Sequence, residues 1–113
     1  MSVTRNNPTA HLFAALGDPT RLRLVSRLSE KGPMSITRLT TGARMSRQAI
    51  TKHLRVMEES GLVRCTRHGR ETLWQLEQKR LEDARRHLDI ISKQWDIALL
   101  RLHAFAEREQ GDS

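Results

Sequence analysis

The stretch SRQAITKHLRVMEESGLV, residues 46–63, gathers Arg47, Gln48, Thr51, Lys52 and Arg55 into one short window. None of these side chains is a ready nucleophile or general base. All of them donate hydrogen bonds, and Arg47, Lys52 and Arg55 add positive charge. Arg and Lys donate to guanine or to phosphate, and the Gln amide pairs with adenine, so the set suits the major groove of a nucleic-acid duplex. Ser46 stands just ahead of it, where a hydroxyl and the first free N–H groups of a helix favour an anion. An ordinary solvated helix face is the competing reading. Most such faces mix in acidic groups, whereas Glu58 and Glu59 come only at the far end of this one.

Those residues need a helix to hold them. At 100° per residue, Ile50, Leu54 and Met57 share one face and point to a core, leaving the polar set on the opposite side. Ser46 caps the start, the helix runs to about Ser60, and Gly61 falls where a left-handed C-terminal cap belongs. Before it, Ser35 caps a short helix through about Thr41, with Ile36 and Leu39 inward and Gly42 as the break. Further upstream, Asp18 and Pro19 open a helix in which Leu22, Val25 and Leu28 repeat every three residues and Leu24 broadens the face; Gly32-Pro33 stops it. The first helix covers 9–16 and closes at Gly17. Residues 1–8 read as a flexible N-terminus.

From residue 62 the period changes to two. Alternation over 62–67 and 71–76 around His68-Gly69-Arg70 predicts a β-hairpin, 62–76. It carries Arg64, Arg67, His68 and Arg70 at or near its tip, within reach of sugar-phosphate or an adjacent minor groove. Beyond it, 78–109 contains no Gly or Pro. Leu81, Ala84, Leu88, Ile91, Trp95, Ala98, Leu102 and Phe105 are spaced three and four apart, an unbroken heptad seam. A helix of this length cannot hide its seam against the rest of so small a chain, and a second copy is the simplest cover. Leu81, Leu88, Ile91, Trp95, Leu102 and Phe105 are the expected dimer contacts. The elements in order predict a mainly α (α+β) fold: a winged helix-turn-helix with a β-hairpin wing and a long C-terminal dimerisation helix. One domain spans 9–110, with the helix-turn-helix at 34–60.

Bulk properties agree. The chain has 113 residues and a net charge of +7. Residues 38–70 hold eight basic and two acidic groups, while 71–113 hold seven basic and nine acidic. The middle third therefore concentrates a positive field, which attracts polyanions. No run of about 18 apolar residues occurs, which predicts no membrane span. The start, MSVTRNNPTAHLF, lacks an apolar signal core, and Cys65 is the single cysteine, so a cytoplasmic location is expected. No Ser/His/Asp order, phosphate-cradling Gly-rich loop or paired carboxylates suggest an enzyme. Asp83, Asp89 and Asp96 mark the solvated side of the last helix.

ALGDPTRLRLVSRL, SRQAITKHLRVMEESGLV and RHGRETLWQL, in that order, resemble the ArsR/SmtB family of winged-helix transcriptional repressors over about residues 9–106. The resemblance implies a homodimer, built mainly from the first and last helices, that grips a pseudo-palindromic operator in double-stranded DNA. Phosphate anchoring would fall to Ser46, Arg67 and Arg70. Many members sense metals through a Cys-x-Cys pair on the third helix; Ser35 and Thr37 stand there, and neither is a soft ligand. A second family site needs an Asp-x-His and later ligands on the last helix, an order that His87, Asp89 and His103 do not supply. No metal or cofactor is expected. His87 reads as an interface or surface residue, and His53 as packing or a phosphate contact. Redox sensing needs two cysteines; Arg64 and Arg67 would lower the Cys65 pKa, but a buried structural thiol is the simpler reading. An unknown small-molecule effector near Trp95 and Phe105 stands as an alternative to dimer packing there. The rival function is a winged-helix module that binds a protein instead of DNA.

Overall fold

The computed structural model describes residues 7–111. Among these residues five helices and three strands follow in order: α1 (Pro8–Leu16), α2 (Pro19–Lys31), β1 (Met34–Ser35), α3 (Ile36–Thr40), α4 (Arg47–Glu59), β2 (Val63–His68), β3 (Glu71–Leu76) and α5 (Gln78–Gly111). Of the N-terminal segment expected to be flexible, residues 1–6 lie outside the described residues. Asn7 and Pro8 depart from that expectation. Asn7 caps α1, its Oδ1 accepting from the Thr9 and Ala10 amides at 3.0 and 3.2 Å, and Pro8 takes the first helical position. An Asn cap followed by Pro is a helix start signal in its own right.

Caps decide the other boundaries too. The Asp18 carboxylate accepts from the Arg21 amide at 3.0 Å, and the Ser35 and Ser46 hydroxyls accept from the Arg38 and Ala49 amides. Gly61, at φ +80°, turns the chain out of α4. A β-carbon there would come within 2.8 Å of Arg80 Nε, so glycine serves both the backbone and the close approach of α5. Arg80 in turn donates to the Ser60 carbonyl at 3.3 Å, satisfying one of the free acceptors at the end of α4.

The core gathers Leu12, Leu24, Leu28, Met34, Leu39, Ile50, Leu54, Met57, Leu62, Val63 and Trp74 from every element but α5, which adds Ala84. Each fully buried Leu or Met contributes roughly 1.5–3 kcal/mol of transfer free energy. On α2 the three-residue spacing misleads. Leu24 and Leu28 are the buried pair and Val25 is half-buried, whereas Leu22 is 49% exposed. A spacing of four, not two successive threes, keeps side chains over one another here.

The sheet has an extra strand that periodicity did not announce. β1 pairs antiparallel with β3, Met34 opposite Trp74 and Ser35 opposite Leu73, giving the order β1-β3-β2. Two residues are too few to display alternation. In the hairpin Cys65 lies opposite Trp74 and His68 opposite Glu71, so β2 starts at Val63 and the turn is Gly69-Arg70, one residue tighter than the His68-Gly69-Arg70 turn expected. Gly69 at φ +64° is the first of its two turn residues, and Arg70 is not left-handed; that is the II′ pattern, which follows the twist of the strands.

α5 sets the overall shape. At 34 residues it is a rod of about 50 Å, and the molecule measures 72 × 35 × 23 Å. Only its first turns touch the core: Ala84 is buried and Leu81 packs beside it. Every residue from 85 to 111 is exposed. No helix among the described residues is long and apolar enough to cross a membrane.

Candidate nucleic-acid interface

α4 is held as a fixed platform. Ile50, Leu54 and Met57 are buried under it, and Ser46 fixes its start through the Ala49 amide at 3.1 Å. Arg47, Gln48 and Lys52 project from the outer surface, all exposed. The Thr51 hydroxyl donates back to the Arg47 carbonyl at 2.8 Å, so its proton is committed and its oxygen is left to accept. A helix leaves its first four N–H groups without intrahelical partners; the Ser46 hydroxyl takes that of Ala49, and with no acidic residue in the first turn the start of α4 is electropositive.

Arg55 differs from its neighbours. Its Nη1 lies 3.1 Å from Glu58 Oε1, and its guanidinium sits 5.5 Å from the Trp74 ring. Glu58, expected to stand clear of the basic cluster, therefore neutralises part of it. Arg55 is oriented toward the sheet, at the junction of α4 with the wing. Any base or phosphate it meets must compete with Glu58, a surface pair of the sort that contributes roughly 0–1 kcal/mol.

The wing divides its basic residues between base and tip. Arg64 is at the base: its Nε is 3.8 Å from Glu77 Oε2, and with the Gln75 amide turned so that its oxygen faces Arg64, that oxygen accepts as well. Arg67, His68 and Arg70 are exposed at the tip, on the last pairs of β2 and β3 and in the turn. Among the described residues no ion pair neutralises Arg47, Lys52, Arg67 or Arg70. The four thus leave open cations on α4 and on the hairpin that follows it.

A second polar group backs the start of α2. Arg21 Nε donates to the Ala15 carbonyl at 2.6 Å, and its Nη1 lies 3.3 Å from His53 Nδ1. Asp18 Oδ2 is 3.8 Å from the same His53 nitrogen. His53 therefore faces Asp18 and Arg21 and ties α4 to the α1–α2 junction. The Arg21 amide hydrogen bond, followed by nearby Arg21 and His53 charge, holds the Asp18 carboxyl below its ordinary value. A depressed carboxyl stabilises the fold above its unfolded pKa and loses that contribution as pH falls through its folded value. Asp18→Asn keeps a good cap and removes only the charge. It is expected to unfold at lower urea than the parent at pH 7, and at the same urea concentration once pH falls well below 3.8, as followed by circular dichroism.

Cys65 is half-buried opposite Trp74, packed against the core. Desolvation, then the Glu58 charge, pushes its thiol above the ordinary value. The charge that opposes this shift is that of Arg55 and not, as expected, of Arg64 and Arg67; alternation along β2 sends Arg64 to the other face, and Arg67, on the same face as Cys65, stands exposed nearer the tip. Ser35 is committed to capping α3, and Thr37 gives its carbonyl to the Thr40 and Thr41 hydroxyls. Among the described residues no three of His, Cys, Asp and Glu converge as metal ligands would. His87 rests beside Phe13, ring centroids 6.2 Å apart, where α1 meets α5.

On α5, Leu88, Ile91, Trp95, Leu102 and Phe105 form an exposed apolar row, with Trp95 65% accessible. Leu81, expected in the same row, packs on this chain's own core instead. Ile90, Ile97, Leu99 and Leu100 are exposed as well, so the outer half of the helix is apolar beyond a single seam.

The helix-turn-helix domain family matches residues 16–66. The transcriptional repressor SmtB homolog of Synechocystis is 33% identical over 76 residues, which are 67% of this chain and 57% of that protein. The ArsR-like transcriptional regulator from Rhodococcus superposes with a TM-score of 0.71 at 32% identity, over 90% of this chain and 93% of its own. A homodimeric winged helix-turn-helix DNA-binding domain from Mycobacterium bovis superposes with a TM-score of 0.62 over 84% of each chain; at 20% identity it speaks to the fold alone.

Proposed function

Because this chain belongs to the ArsR/SmtB family of winged helix-turn-helix transcriptional regulators, we propose that it works as a cytoplasmic homodimeric repressor that occupies a pseudo-palindromic operator without a metal ligand. One observation carries this reading: Arg47 and Lys52 of α4 and Arg67 and Arg70 of the wing tip, exposed and without an ion pair among the described residues, stand on neighbouring elements suited to span a groove and its flanking phosphates. Arg47 and Gln48 read base edges, with Thr51 and Lys52 beside them. Ser46, Arg67 and Arg70 hold the backbone. Arg55 contributes where α4 meets the wing, once Glu58 yields it. The exposed apolar row of α5 supports the dimer, since Leu88, Ile91, Trp95, Leu102 and Phe105 exceed what a lone soluble helix leaves open to water. A dimer of about 26 kDa over a promoter excludes polymerase by bulk, and its two α4 helices meet successive major grooves about 34–36 Å apart.

A protein-binding role for the same fold would leave the cations of α4 and the wing without purpose. Selection of bound fragments from the organism's own sheared DNA separates the two. The expected product is an enriched inverted repeat with half-sites one helical turn apart. Recovery of sequences no different from the input would reject the operator reading.

A further inference from the structure

A cavity of about 610 Å3 opens between α2 and the turn joining α3 to α4. Its floor is apolar, formed by the buried Leu24, Leu39 and Ile50 with Met45 beside them. Its rim carries Arg23, Arg27 and Arg44, and no carboxylate lines it. Among the described residues none of the three arginines makes an ion pair. Arg27 is fixed in place, donating to the Leu39 carbonyl at 2.6 Å and to the Arg38 carbonyl at 3.0 Å. Arg23 donates to the Thr20 hydroxyl at a long 3.5 Å. Three guanidinium groups around one concavity repel each other and leave donors unused. A floor of this chemistry and a volume of this size match small organic ligands, which fill roughly 300–1,000 Å3.

We infer that this cavity binds a small amphipathic carboxylate. The headgroup takes bidentate hydrogen bonds from Arg23 and Arg44, with Arg27 as a pre-set third cation, and the apolar body lies over Leu24, Leu39 and Met45. The site lies away from Trp95 and Phe105, where the sequence had suggested an effector. Its walls make it consequential. Met45 immediately precedes the Ser46 cap, and Ile50 belongs to the core face of α4, so an occupant sets the spacing between α2 and α4. It also brings negative charge beside the start of α4. Bound carboxylate therefore opposes duplex binding. That coupling rests on the proposed DNA-binding role, whereas occupancy of the cavity does not.

Titration calorimetry on the DNA-free protein tests occupancy, with decanoate and inorganic phosphate as probes. Arg23→Gln combined with Arg44→Gln is the variant of choice, because both positions are exposed and, unlike Arg27, neither anchors a backbone carbonyl; its thermal melt verifies the fold. Saturable binding of one decanoate per chain, weakened at least about tenfold in the double variant, with phosphate far weaker, is expected. No binding below about 1 mM, equal binding to parent and variant, or phosphate as tight as decanoate would overturn the assignment. Duplex affinity with and without decanoate then measures the coupling, expected to be about fivefold or more in the parent and absent in the variant. Decanoate binding without any change in duplex affinity would overturn the coupling and leave the site. A protein that takes decanoate yet ignores DNA under all conditions would overturn the DNA-binding role instead.

Discussion

Leu88→Asp together with Leu102→Asp is expected to leave a folded 13.0-kDa monomer that holds duplex DNA only weakly. Both side chains are exposed in the single chain, at 52% and 62%, so neither change removes a core contact or disturbs the caps of α1 to α4. In a dimer closed along the α5 row, the same positions are buried on both chains. Each lost Leu removes roughly 1.5–3 kcal/mol of burial, and each new carboxylate adds the penalty of dehydrating an unpaired charge. Four such sites per dimer outweigh the stability of a micromolar association, about 8 kcal/mol. A monomer presents one α4 and one wing, so duplex affinity should drop into the non-specific range, about 10⁻⁴ to 10⁻⁶ M at physiological salt. Sedimentation velocity reads the first effect and fluorescence anisotropy the second. An intact dimer in the double variant would remove α5 as the interface.

The second large effect separates reading from gripping. Arg47→Ala and Gln48→Ala are each expected to cost about 1–3 kcal/mol of discrimination at one base pair per half-site, while binding to unrelated sequence changes little. Arg70→Ala is expected to weaken all sequences alike and to flatten the salt slope by about one per chain. Arg55→Ala should fall between, because its guanidinium already has Glu58 and the Trp74 ring for partners. Competition binding against single-base operator variants distinguishes these patterns. Unchanged base preference in the Arg47, Gln48 and Arg70 variants would reject the division of labour.

Much of the fold could be read from the chain because its boundaries are written in local chemistry. Asp18-Pro19, Ser35, Ser46 and Gly61 act through their own hydrogen bonds and backbone angles, which need no tertiary context. The heptad spacing of 81–105 likewise names a helix whatever it packs on. What escaped has a common physical cause: it depends on partners distant in sequence. β1 is visible only beside Trp74 and Leu73 of β3. Leu81 falls in the heptad row but meets the core first, since α5 has to dock before it can project. Arg55 looked like a free groove contact until α4 was laid against the sheet, and Arg64 looked like a tip residue until register put it opposite Gln75. The cavity between α2 and the α3–α4 turn is the clearest instance. Arg23, Arg27 and Arg44 are scattered over more than twenty residues, and no spacing rule joins them.

The salt dependence of duplex binding tests the central claim most directly. A homodimer whose protomers each neutralise about two phosphates, through Arg67 and Arg70, should lose about 10² in affinity for a duplex between 50 and 200 mM salt as counterions are released. A steep linear fall of log affinity with log salt, measured by anisotropy on the intact dimer, is the expected result. Failure to bind any duplex at 50 mM salt, or an affinity that stays flat across that range, would contradict it.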